Sequence, residues 1–296
     1  MRYLLWRQHR GQLLWTAVIL AIYCAGMLAV AHSADAWLSH YHQWLGELRS
    51  AGCRLPESGL SRVHAPSAAC QTLLSQYPHG EQESFAGAYN FAIPVFEEGL
   101  PLVMVLVGAL VGAPLVAREA EQRTQLVAWT QSVSRGRWYV SKITVLASGL
   151  AVAGLLAGFA NDRVQGSLSR GGLTSSRWPW FFSIDLAPAV EALLAFALAV
   201  AIGAWLRRTL PAIGTALVGF LALFLLTGWA VRSLTPMSRA TGSRGAPDNG
   251  WLIGGDRYHP AGQYWPLHVT YVVALLLLAG GLLAIGWRAT RPRKLV

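Results

Sequence analysis

The side chains of this chain that could do acid–base, metal or redox chemistry stand mostly at the ends of its apolar runs, not within them. Glu97 and Glu98 precede one run, and Asp185 and Glu191 lie near the start of another. A carboxylate at a helix N-terminus complements the helix dipole, which is the plainer reading of all four. Glu191 falls two turns into its helix if that helix opens near Ile184, and it is the best acidic candidate for a permeation path. An ionisable group within hydrocarbon is costly and usually marks a substrate or ion route, and the runs otherwise offer almost none. His32, His40, His42 and His64 could share a metal. An H-x-H pair on a helix points to different faces, however, and no Cys or carboxylate stands at ligand spacing, so no metal site is expected. Cys53 and Cys70 lie between runs, where oxidation would close a loop of 18 residues worth about 3 kcal/mol on the chain-entropy model. Cys24 lies inside a run and should stay a free thiol. Neither HExxH nor G-x-S-x-G occurs, and neither Lys142 nor Lys294 closes a G-x-x-x-x-G-K phosphate loop. The chain therefore carries no metalloprotease, serine hydrolase or ATPase signature.

The elements that must position these residues are membrane spans. Of 296 residues 54% are hydrophobic and 13% charged, which excludes an ordinary soluble enzyme, where about 25% are charged. With charged residues as punctuation, six runs emerge: 13–31, 100–116, 143–160, 186–206, 211–231 and 267–287. Each has about the 20 residues that cross ~30 Å of hydrocarbon. The fold class is an all-α integral membrane protein with six transmembrane helices, a single domain over 1–296 without internal repeats.

The placement of Lys and Arg gives the orientation. Fourteen of the 24 basic residues precede run one, separate runs two and three, separate runs four and five, or follow run six. Only Glu119 and Glu121 oppose them there, so that side carries +12 and the other −2. The positive side is cytoplasmic, with both termini on it. The formal charge of +10 is thus a topology signal directed at anionic membrane lipid, and no nucleic-acid partner is expected. Arg2 to Arg10 and Ala34-Asp35-Ala36 have the outline of a signal peptide, but the apolar run is long for one, and an uncleaved first helix is expected.

Between spans one and two, residues 34–93 predict an external cap. Trp37, Tyr41, Trp44 and Leu48 recur at spacings of four, three and four, on one face of a helix continuing out of the first span. Pro66 opens a second helix with Cys70, Leu73, Leu74 and Tyr77 on one side. The stretch from Thr235 to Gly250, rich in Gly and Pro, predicts a mobile loop. Gly108 with Gly112, and Gly154 with Gly158, form G-x-x-x-G pairs, which predict close helix packing within one subunit.

The other loop, 117–142, carries the most information. Thr124 can N-cap a helix of about two turns ending near Gln131, and Ser134 can cap the third span. The short helix mixes Gln125 and Thr130 with Leu126, Val127 and Trp129. Such a surface suits burial among headgroups or docking to a partner.

The Arg-Glu-x-Glu-x-x-Thr pattern from Arg118 to Thr124, followed by Ser132-Val-Ser-Arg135 and Lys142 between spans two and three, resembles the permease subunit of type 2 ABC exporters. Trp6-Arg-Gln-His-Arg10, the run Gly112-Ala-Pro-Leu-Val-Ala-Arg-Glu119 and the use of 22 Arg to 2 Lys are similar to the actinobacterial branch. The resemblance implies a bacterial plasma membrane. It also implies two permease subunits, in a homo- or heterodimer, and separate ATPase subunits that carry the ATP and Mg while this chain binds no cofactor. By resemblance, Thr124 to Gln131 is the coupling helix that enters a cleft on the ATPase. Glu119 and Glu121 match the acidic positions leading into it, and Arg135 and Lys142 the basic positions that follow. ATP-driven closure would then push the helix and rock two six-helix bundles until an apolar path opens beneath the cap.

Two other readings stay open. One is a membrane sensor or anchor without transport activity, its cap binding a ligand or protein. The other is a membrane enzyme acting on lipid through Glu97, Glu98, Asp256 or His259, although no activated constellation is visible.

Overall fold

The computed structural model describes residues 2–53, 68–76, 83, 87, 99–122, 134–170, 181–234, 237–239, 251–254 and 257–290. Among them six helices are long and apolar enough to cross a membrane. These are α1 (Arg2–Ser50), α3 (Gly99–Glu121), α4 (Arg135–Arg170), α5 (Ala187–Leu206), α6 (Thr209–Leu234) and α7 (Tyr264–Ala289). A short helix, α2 (Ala68–Ser75), lies between the first two. Every predicted run falls within one of the long helices to within a residue, but α1 and α4 extend well beyond their runs. Charges mark where hydrocarbon ends, whereas a helix ends only where its backbone hydrogen bonds find other partners.

The bundle is built around α5, with 78% of its span buried against 17% for α6 and 22% for α1. Its neighbours are α3, α4, α6 and α7. Nine of the 20 residues of α5 are alanine or glycine, and such small residues let backbones approach closely. Pro188 occupies its first turn, where a missing N–H costs nothing. Its end is a left-handed Arg207 at φ 54°, whose N–H donates to the Gly203 carbonyl.

The glycine pairs meet this helix within the subunit, as expected. A methyl group on Gly108 would lie 2.7 Å from the Ala192 carbonyl oxygen, and one on Gly112 2.6 Å from that of Phe196. Gly154 abuts the Ala189 backbone and Gly158 the Asp185 carbonyl. Around the outside, Leu14, Trp15, Ile22, Leu210, Val218, Leu225 and Trp229 are exposed, the apolar surface expected of a lipid-facing ring.

Helix α1 continues past its span, as the aromatic spacing predicts. Trp37, Trp44 and Leu48 are buried, and Trp37 and Trp44 stack on either side of Tyr41 at 5.3 and 5.9 Å. The Trp44 indole N–H donates to the Leu73 carbonyl of α2 at 2.6 Å, and Cys53 is bonded to Cys70. Cys24 is free. Pro66 and Tyr77 lie outside the described residues.

Of the stretch from Thr235 to Gly250, residues 237–239 are described and the others lie outside the described residues; within it Ser238–Arg239 forms a strand, β1, of an antiparallel sheet ordered β1-β3-β2, with β2 at Trp251–Gly254 and β3 at Arg257–His259. Ser238 pairs with Tyr258, and Trp251 with His259. Strands of two to four residues leave no alternation long enough to read.

Candidate functional site

Two groups of polar side chains are assembled at opposite ends of the bundle. The first joins the helices flanking residues 123–133. Glu119 near the end of α3 forms an ion pair with Lys142 of α4, both side chains largely buried, and the ammonium also sits 4.8 Å from the Trp138 ring centroid. Glu121 accepts a hydrogen bond of 2.8 Å from the Thr209 hydroxyl at the start of α6. Ser134 caps α4 by accepting from the Arg137 N–H at 3.3 Å, as its position predicts. Tyr139 of α4 donates to the Leu283 carbonyl of α7 at 2.8 Å. Four helices are thus tied together around the base of this loop.

The sequence-predicted residues divide accordingly. Glu119 and Glu121 sit in this clasp. Thr124, Gln125, Leu126 and Trp129 lie outside the described residues, and Arg135 opens α4 without a described side chain. Thr209 and Trp138 were not read from sequence, because a lone Thr or Trp at a helix end has no signature until its neighbour is known.

The second group lies between α5 and α7, near the 181–186 turn. Glu191 is fully buried and accepts a 2.7 Å hydrogen bond from the Tyr271 hydroxyl of α7. It therefore does not stand at a solvated N-terminus. Its neighbours add one ionisable side chain that the pattern of runs does not single out, His268 at the start of the sixth. Tyr264 donates to Asp185, and His268, also fully enclosed, stacks on Tyr264 at 5.2 Å. On α4, Asn161 accepts from Tyr23 of α1 and donates to the Ser183 carbonyl at 2.9 Å. Residues 264, 268 and 271 recur at spacings of four and three, a face that the same periodicity used for α1 could have revealed. Glu97 and Glu98 lie outside the described residues.

Among the described residues no group of three or more His, Cys, Asp or Glu side chains could hold a metal ion. His259 is buried with its Nδ1 3.2 Å from the Gln263 side-chain oxygen, and Asp256 lies outside the described residues.

Comparison with known proteins gives one family. A family model described as ABC-2 membrane transporter related matches residues 51–232, a stretch that runs from the end of α1 through most of α6. No curated protein and no solved structure matches the chain. Such a family comprises multi-pass transport proteins of the membrane, not catalysts, in keeping with six apolar helices arranged about a buried central one. With more than half of its length matched, the chain belongs to the ABC-2 membrane transporter related family.

Proposed function

We propose that this chain is the permease subunit of an ATP-driven ABC exporter. It forms the substrate path with a second permease subunit and couples to separate ATPase subunits through residues 123–133. The end bearing Glu119 and Lys142 is cytoplasmic, with both termini, and the disulfide-bonded segment at the far end of α1 is an external cap. The branch of origin is actinobacterial, on the sequence features of residues 6–10 and 112–119.

Family membership supplies the class, and the clasp is the observation that carries the coupling. Residues 123–133 are bracketed by Glu119 and Lys142, which form an ion pair, and Glu121 on the first flank is bonded to Thr209; force delivered through a coupling helix from Thr124 to Gln131 would therefore reach α3, α4 and α6. Through α3 and α4 it moves α5, the helix that all of them contact. Leu126 and Trp129 present the docking surface, while Gln125, Thr124 and Arg135 supply the polar rim.

The test is a pull-down of the tagged chain from its native membrane, read by mass spectrometry and an ATPase assay. A nucleotide-binding subunit should be recovered with the wild type and lost with Leu126→Asp, while Trp129→Ala should leave ATPase activity uncoupled from transport. Recovery of the chain alone would replace the permease reading with the sensor or anchor.

A further inference from the structure

The group between α5 and α7 contains two buried polar side chains whose hydrogen-bonding capacity is not used. The Glu191 carboxyl spends one oxygen on Tyr271, and its other oxygen, Oε2, has no hydrogen-bond partner. Both ring nitrogens of His268 are likewise without one. A buried polar atom left unpaired costs of the order of 1–3 kcal/mol, and three such atoms on two facing helices call for a ligand that completes them.

The surroundings specify its chemistry. Phe181 bridges the two groups, its ring centroid 5.3 Å from that of His268 and 5.7 Å from that of Tyr271, and Tyr264 closes another side at 5.8 Å from Phe181. Aromatic faces beside a carboxylate recognise ammonium groups, and an ammonium that keeps its N–H groups also supplies the donors that the free carboxylate oxygen and a ring nitrogen accept. The nearby charges have the same sign: Asp185 bonds Tyr264 and lies within electrostatic reach of His268, and Asp162 within reach of Asp185. Arg163, the base that acts on Asp162, is exposed, with its guanidinium 4.9 Å from the Phe159 ring centroid.

We propose that Glu191, His268 and the rings of Phe181, Tyr264 and Tyr271 form an occluded binding site for an organic ammonium group carried by the cargo. The inference rests on the transport reading above and names the class of substrate. In this conformation the rings close on one another, so binding requires α5 and α7 to part. The ammonium then donates to the free Glu191 oxygen, Oε2, and to a ring nitrogen of His268, while Tyr271 keeps its bond to Oε1.

Equilibrium binding of radiolabelled benzylammonium to the full chain in lipid nanodiscs tests the site, with empty nanodiscs as background. Saturable binding at one site per chain is expected, displaced by unlabelled cation and not by its neutral carbon isostere, ethylbenzene. Glu191→Gln should weaken binding by at least about tenfold, because the charge is lost while the side chain can still accept from Tyr271. Tyr271→Phe should bind at least as tightly as the wild type, since it keeps the ring and releases the second carboxylate oxygen. Binding no greater than to empty nanodiscs, equal displacement by the neutral isostere, or an unchanged Glu191→Gln affinity would overturn the proposal. The isostere comparison needs only the wild type, so it decides even if a variant does not fold. ATPase recovery in the pull-down without cation binding would sink this site and leave the permease reading intact. Cation binding by a chain recovered alone would do the reverse.

Discussion

At the scale of single residues, the packing of this protein turns on hydrogen atoms where other residues carry a methyl group. Gly154 and Gly158 of α4 touch the backbone at Ala189 and Asp185, so a Cβ at either position meets main chain, which cannot rotate away. Gly149 lies on the same helix with nothing within 4 Å of its would-be Cβ. Gly158→Ala should therefore destabilise the protein by about 1–3 kcal/mol, the usual cost of overpacking. Gly149→Ala should be neutral or slightly stabilising, since alanine is the better helix former. Thermal unfolding of the two variants in detergent, followed by tryptophan fluorescence, separates them. Equal melting temperatures would mean that α4 does not approach the 185–189 backbone as closely as this. The G-x-x-x-G spacing was legible in the sequence and sets Gly154 and Gly158 apart from Gly149, but the backbone that they meet, at 185–189, was not.

At the scale of elements, the outward continuation of α1 shows what can and cannot be read from a chain. The spacing of Trp37, Tyr41, Trp44 and Leu48 specifies a helix with one apolar face, and Cys70, Leu73 and Leu74 specify a second face to meet it. Together they close as the buried cluster of Trp44, Leu48, Cys53 and Cys70. Helix α2 is only eight residues long, too short to be stable alone in water. Among the described residues it is held by the cluster, the Trp44 hydrogen bond and the disulfide. Replacing both cysteines with serine should lower the free energy of opening this segment by about 3 kcal/mol, roughly a hundredfold in the open population. Hydrogen exchange at amides 68–75 reads that change directly, while the exchange of α5 amides should not move. Protection lost equally in both places would show that the segment and the bundle unfold as one. By contrast, the polar group between α5 and α7 escaped the sequence reading. Tyr264, His268 and Tyr271 acquire meaning only from Asp185 and Glu191, some 80 residues earlier in the chain. Local periodicity places side chains on a face, but it does not say which helix that face will meet.

At the scale of the whole molecule, the distribution of charge bears on the orientation that the proposed coupling requires. Arg118, Arg137, Arg207, Arg208 and Arg288 are all exposed at the helix ends that gather around Glu119 and Lys142. The opposite ends carry Asp185, the small sheet and the disulfide. Trp265 and Trp287, near the two ends of α7, are 22 residues apart, about 33 Å of helix and close to the ~30 Å hydrocarbon thickness, as interfacial aromatic anchors should be. On the positive-inside rule, the orientation proposed above has the clasp in the cytoplasm and the disulfide outside. In intact cells, a membrane-impermeant reductant followed by an impermeant maleimide should label Cys53 and Cys70, and both serine replacements should abolish the signal. Cys24, half-buried within α1, should stay unlabelled, and a C-terminal tag should resist external protease until the cells are permeabilised. Cysteine labelling that appears only after permeabilisation would reverse the orientation. It would then remove the coupling assignment as well, because ATP is hydrolysed in the cytoplasm and residues 123–133 would face away from any ATPase. The charge asymmetry and the coupling loop therefore stand or fall on one experiment, which should precede any mutagenesis of the loop itself.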